Sequence, residues 1–136
     1  MYETFPHTAD LGLRIEADSL GSLMSEAARG LFSALVANLD TVRPVEQVEY
    51  RIEGDDREYL LFDWLNELLF GFHRNRMILV RFDVRVDEAG LSARCRGEPL
   101  DTARHTLDHD IKAITYHGLH VVDDGGLWRA EVVVDI

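Results

Sequence analysis

The groups best suited to chemistry lie at the two ends of the chain. Asp10 closes the turn-like stretch His7-Thr8-Ala9-Asp10, Asp135 is the penultimate residue, and Ile136 adds a main-chain carboxylate beside it. Carboxylates are hard oxygen donors of the kind that calcium, magnesium and manganese accept. Trp128, Ala130, Val132, Val134 and Ile136 alternate with Arg129, Glu131, Val133 and Asp135, which is the two-residue period of a strand. Most termini are polar and frayed, so an apolar pattern that runs to Ile136 predicts a pinned end. Pinning would hold Asp135 close to the terminal carboxylate, and such anions repel unless a cation or a donor lies between them. Plainer alternatives stay open: an ordinary last strand with Asp135 in water, and an Asp10 that bonds its own backbone in a turn. Spacing alone does not bring residue 10 to residue 135.

Other chemistries find less support. His7, His73, His105, His109, His117 and His120 match no zinc-ligand spacing, and a strand would point His117 and His120 to opposite faces. The chain has no Gly-x-Ser-x-Gly elbow, His-Glu-x-x-His helix, EF-hand loop or glycine-rich phosphate loop. Cys95 is the single cysteine, so no internal disulfide can form, and its place in an apolar alternation predicts packing rather than reaction. A net charge of −11 disfavours broad contact with a phosphate backbone. It suits hard cations, a basic protein partner, or solubility alone. Of the 14 lysines and arginines, Lys112 is the only lysine. No segment has the length and apolarity of a membrane span, and Met1-Tyr2-Glu3-Thr4 does not resemble a signal peptide, so the cytoplasm is the expected compartment.

These residues need elements to position them. Tyr2 to Phe5 predicts a short strand closed by Pro6, and Leu11, Leu13 and Ile15 a second strand after the turn. Leu20, Leu23, Ala27, Leu31, Ala34 and Leu35 form a helical stripe capped by Asp18 or Ser19. Val48, Tyr50 and Ile52 predict a strand. A second helix presents Leu61, Trp64, Leu65, Leu68, Leu69 and Phe72, with Asp55 and Glu58 as a variant capping box. Val80 to Val86 and Leu91 to Cys95 predict a hairpin, followed by a polar connection from Gly97 to Asp110. Strand character returns at Ile111 to Val122, and Asp123-Asp124-Gly125-Gly126 turns it into the last strand. The expected architecture is a single domain over residues 1–136. It is a two-layer α+β fold, its largely antiparallel sheet carrying two helices on one face.

Four segments in order, His7-Thr8-Ala9-Asp10-Leu11-Gly12-Leu13, Trp64-Leu65-Asn66-Glu67-Leu68-Leu69, Ile111-Lys112-Ala113-Ile114-Thr115-Tyr116-His117 and Trp128 through Val134-Asp135-Ile136, resemble the archease family. Asp110 stands where the family usually carries Glu before Ile-Lys-Ala, a change that keeps the charge. The resemblance implies the same α+β fold and a protein cofactor, not an enzyme. Its partner would be the RtcB-type RNA ligase, which joins 2′,3′-cyclic phosphate or 3′-phosphate ends to 5′-hydroxyl ends in tRNA splicing and RNA repair. It implies faster ligase guanylylation, multiple turnover and a wider choice of nucleotides. It further implies a divalent metal, expected to be calcium, on Asp10, Asp135 and the main-chain carboxylate of Ile136, with Lys112 important for activating the partner. A stand-alone metal-dependent phosphoesterase or nuclease, and a chaperone-like scaffold, are the alternatives to that reading.

Overall fold

The computed structural model describes residues 1–7 and 10–136. In chain order the elements are β1 (Tyr2–His7), β2 (Asp10–Ala17), α1 (Leu20–Leu35), a 3-10 turn (Leu39–Thr41), β3 (Glu46–Glu53), α2 (Arg57–Asn75), β4 (Met77–Asp87), β5 (Gly90–Pro99), β6 (Ala113–Asp124) and β7 (Leu127–Asp135). The α+β class is as expected, with every strand pairing antiparallel. The strands divide between two sheets, ordered β1-β2-β7-β6 and β3-β5-β4. Hairpin patterns reveal the local pairs, but they carry no information on whether β3 joins β2 or β5.

One cluster of buried apolar side chains runs through both helices and both sheets. The helical stripes supply its centre. Leu23, Leu31 and Phe32 of α1 and Leu61, Trp64, Leu65 and Leu68 of α2 are fully buried. Trp64 is tied across the helix pair by its indole N–H, which donates to the Met24 carbonyl at 2.9 Å, so its one polar atom is satisfied in the core. The Phe32 ring stacks on Phe82 of β4, while Tyr50 of β3 meets Trp64 edge-on, which fixes the smaller sheet against the helices. Cys95 is fully buried. No described helix is long and apolar enough to cross a membrane.

Local chemistry explains the boundaries. Ser19 caps α1 by accepting from Ser22 N–H. Asp56, not Asp55, caps α2, accepting from Tyr59 N–H, so the cap lies one residue later than expected and the box with Glu58 is not formed. β1 runs through Pro6 instead of closing at it, which an edge strand tolerates because one of its sides needs no ladder donors. β4 begins at Met77 and β5 reaches Pro99, both longer than expected. At Gly97 a Cβ would lie 1.7 Å from the Ile78 carbonyl oxygen, so only glycine lets β4 approach there, beside the register shift between Leu79 and Arg81.

Candidate functional site

The larger sheet brings the two ends of the chain together. In the β2–β7 register Asp10 lies opposite Asp135, Leu11 opposite Val134 and Leu13 opposite Val132. Leu11, Leu13, Val132 and Val134 are buried, so that alternation faces the core. Asp10 and Asp135 therefore share the other face, and both are half-buried. Directly opposed residues of an antiparallel pair have Cβ atoms about 5 Å apart, close enough for two carboxylates to repel. Ile136 is half-buried and packs against the core cluster. The turn expected over His7-Thr8-Ala9-Asp10 falls in part on residues 8–9, which lie outside the described residues.

Next along this face, the Phe5 ring covers Gly12. A Cβ at position 12 would lie 2.1 Å from its Cζ, so the small residue is what lets the aromatic ring lie flat on β2. Arg14 follows, its guanidinium 4.6 Å from the Phe5 ring centre and bonded to both Glu3 and Glu131. Val133, on the same face, is buried between Gly12 and Thr115, its partners on the neighbouring strands. The carboxylate pair thus has an apolar neighbour and an ion-paired row beyond it.

Lys112 reaches the same corner from the other side. Ala113 of β6 pairs with Asp135, and Lys112 N–H donates to the Asp135 carbonyl at 2.8 Å. The Lys112 side chain is exposed, and it lines a groove of about 340 Å³ with Glu67, Phe70 and His73 of α2. Sequence reasoning missed the role of His73. Its Nε2 lies 2.8 Å from the Ile111 carbonyl, so this nitrogen carries the proton and donates, fixing the residue before Lys112. A histidine on the exposed flank of an amphipathic helix gives no signal for such a contact.

The polar connection into Lys112 is also tethered. Asp108 and His109 N–H groups donate to the Leu35 and Ala34 carbonyls at the end of α1. Its other end is held by Glu98, which is buried with His105. Arg104 and His105 side chains and Arg43 N–H all bond the Glu98 carboxylate, with Arg104 the main cause of a pKa lowered to about 2. His105 Nδ1 accepts from Asp101 N–H, which leaves Nε2–H to donate to Glu98.

β6 is irregular where the two histidines fall. Its register with β7 shifts between Thr115 and His120, with φ of 68° at Gly118, so a simple alternation does not relate His117 to His120. Tyr116 within this stretch stacks on Tyr59 of α2, ring centres 4.9 Å apart. Among the described residues no three His, Cys, Asp or Glu side chains cluster as a metal site. Asp10 and Asp135 would supply two of a cation's oxygens, with main-chain oxygens or water as further ligands. Two carboxylates opposed across one strand pair are a donor set of the hard kind that fits calcium or magnesium.

Similar proteins agree with this architecture. A family model, that of the Archease protein family, matches residues 2–136. A protein archease of Methanopyrus kandleri is 42% identical over 139 residues, covering 99% of each chain. That of Pyrococcus abyssi is 36% identical over 140 residues, covering 99% of this chain and 98% of its own. The solution structure of a Methanobacterium thermoautotrophicum protein superposes with a TM-score of 0.88 at 30% identity, covering 99% of this chain and 98% of that one. A Thermotoga maritima crystal structure, described as an archease and possible chaperone, shares the fold with a TM-score of 0.69 at 23% identity, covering 100% and 98%.

Proposed function

The chain belongs to the archease family, and from that premise we propose that it is a metal-binding protein cofactor of an RtcB-type RNA ligase. In this reading it acts in the cytoplasm in tRNA splicing and RNA repair, promoting ligase guanylylation and multiple turnover without catalysing a reaction itself. The observation that carries the reading is the register that sets Asp10 opposite Asp135, with Lys112 hydrogen-bonded to Asp135 through its backbone. Asp10, Asp135 and the main-chain carboxylate of Ile136 would hold the divalent ion, calcium by expectation. Such an ion supplies neutralisation of phosphate charge that develops during nucleotidyl transfer. The protein's own part is to hold two carboxylates on one face of a rigid sheet. Packing of Ile136 against the core fixes the end of β7, and the exposed Lys112 side chain, in the groove against α2, would be open to a partner.

The test is a single-turnover guanylylation assay of a cognate ligase with and without this protein. Asp10→Asn, Asp135→Asn and Lys112→Ala should each lose the acceleration and keep the fold. Without divalent ion, Asp135→Asn should be as stable as the parent or more so, since a cross-strand repulsion worth about 0.2–1 kcal/mol disappears. Calcium should raise the melting temperature of the parent and leave that of the variant unmoved, because only a state that binds the ion gains from it. Residues added after Ile136 should also impair activation. An unchanged guanylylation rate on adding the parent protein would sink the reading. Turnover of RNA by this protein alone, with divalent ion and no ligase, would favour a phosphoesterase instead.

A further inference from the structure

Part of the outer face of the second sheet is locally positive, although the molecule as a whole is acidic. Its inner face packs Tyr50, Phe82 and Val84 onto the helices, so the alternate residues of β3, β5 and β4 form an open outer face. The register groups them in rows. Arg96 lies between Gln47 and Arg81, Arg94 between Glu49 and Asp83, and Ser92 between Arg51 and Arg85. These rows hold five arginines against two carboxylates, in a chain whose net charge is −11. Glu53 and Asp87 come only at the rim, either side of Gly90.

An exposed arginine is ordinarily a solvated surface group, and like charges directly opposed across strands are unfavourable. Here Arg81 directly opposes Arg96. Arg94 pairs with Glu49, Arg51 donates to Ser92 Oγ and Arg96 to the Gln47 amide oxygen. Among the described residues no acid pairs with Arg81 or Arg85 on β4, and both are exposed. Arginine at these positions follows the composition of a chain with a single lysine, and its planar, two-pronged group is able to bind phosphate.

We propose that the outer face of β3, β5 and β4 is a contact site for the phosphodiester backbone of RNA. Arg94 and Arg96, two residues apart on β5, stand about 7 Å apart along the strand, a step comparable to that between neighbouring phosphates of an extended chain. No aromatic side chain lies on this face to stack a base, so contact is with the backbone and independent of sequence. The overall negative charge does not forbid it. At physiological salt charges are screened over about 8 Å, so acids on the far sheet weigh little against arginines in contact. The site is separate from the Asp10–Asp135 corner, on the other sheet. Only its biological purpose, steadying an RNA end beside a bound ligase, rests on the function proposed above.

The experiment uses the full chain without ligase, so the two readings fail independently. A fluorescein-labelled oligouridylate is titrated by polarisation at several salt concentrations. Engagement of three phosphates predicts that log K falls against log salt with a slope of about −2. Arg81→Gln with Arg85→Gln should weaken binding about tenfold or more. Arg57→Gln with Arg74→Gln removes the same charge elsewhere and should cost much less. Oligoadenylate of equal length should bind within about twofold of oligouridylate, and polyglutamate should compete poorly. Equal losses in the two double variants would overturn the proposal, as would efficient competition by polyglutamate or no salt-dependent binding at all.

Discussion

Glu98 shows how a single buried carboxylate can hold a functional loop. Three residues converge on it, Arg104 foremost, and they link the segment before β3 to the connection that leads to Lys112. Its pKa falls from the ordinary 4.5 to about 2 in the folded state. A depressed carboxylate contributes stability that is fully present above its unfolded value and is lost as pH drops through the folded one. Urea unfolding should therefore show the parent losing stability between about pH 4.5 and pH 2. Glu98→Gln should be less stable at pH 7 and lack that part of the acid dependence. The residue was not legible as a site in the sequence, because an acid in a polar stretch among 25 acids carries no mark of burial. Asp10 and Asp135 were legible as hard donors, and only the likeness to a family joined them. The pairing itself depends on strands whose side chains, such as Arg14 and Glu131, are 117 residues apart.

The elements themselves were mostly readable. Helical stripes and strand alternations report burial locally, and the buried sets of α1 and α2 include the apolar positions Leu23, Leu31, Leu61, Trp64 and Leu68 that their periodicity marks. Boundaries were less so, since one side chain chooses between neighbouring caps. Asp55 and Asp56 are equally good candidates by type, and the structure uses Asp56. Asp56→Ala should cost about 1 kcal/mol in thermal or denaturant unfolding. Asp55→Ala should cost next to nothing. The irregular stretch of β6 was hidden for a different reason. Tyr116 and Gly118 are compatible with a regular strand, and the shift appears only in register with β7.

At the scale of the molecule, the division into two sheets escapes any local pattern, because it depends on which strands meet across the core. The helices bridge both sheets through one buried cluster, so the domain should unfold as a unit. Cys95 offers a probe of that. It lies in the central strand β5, fully buried, and burial pushes its pKa up to about 12. A thiol in that state reacts only when the core opens. Labelling by a thiol reagent at neutral pH should therefore proceed at the rate of global unfolding and accelerate in step with denaturant. Rapid labelling of the native protein would mean that the smaller sheet opens by itself.

The position of β7 between β2 and β6 has one more consequence. Synthesis is vectorial, and Leu127–Asp135 leaves the ribosome after every other element. The strands β3, β5 and β4 can pair while translation continues, whereas β2 and β6 wait for the ribbon that must slot between them. Nascent chains arrested before Leu127 should accordingly protect amides of the smaller sheet and leave the β2 amides that face β7, rather than β1, exchanging freely. The carboxylate corner therefore forms only once β7 has been added beside β2, so its assembly is coupled to closure of the larger sheet.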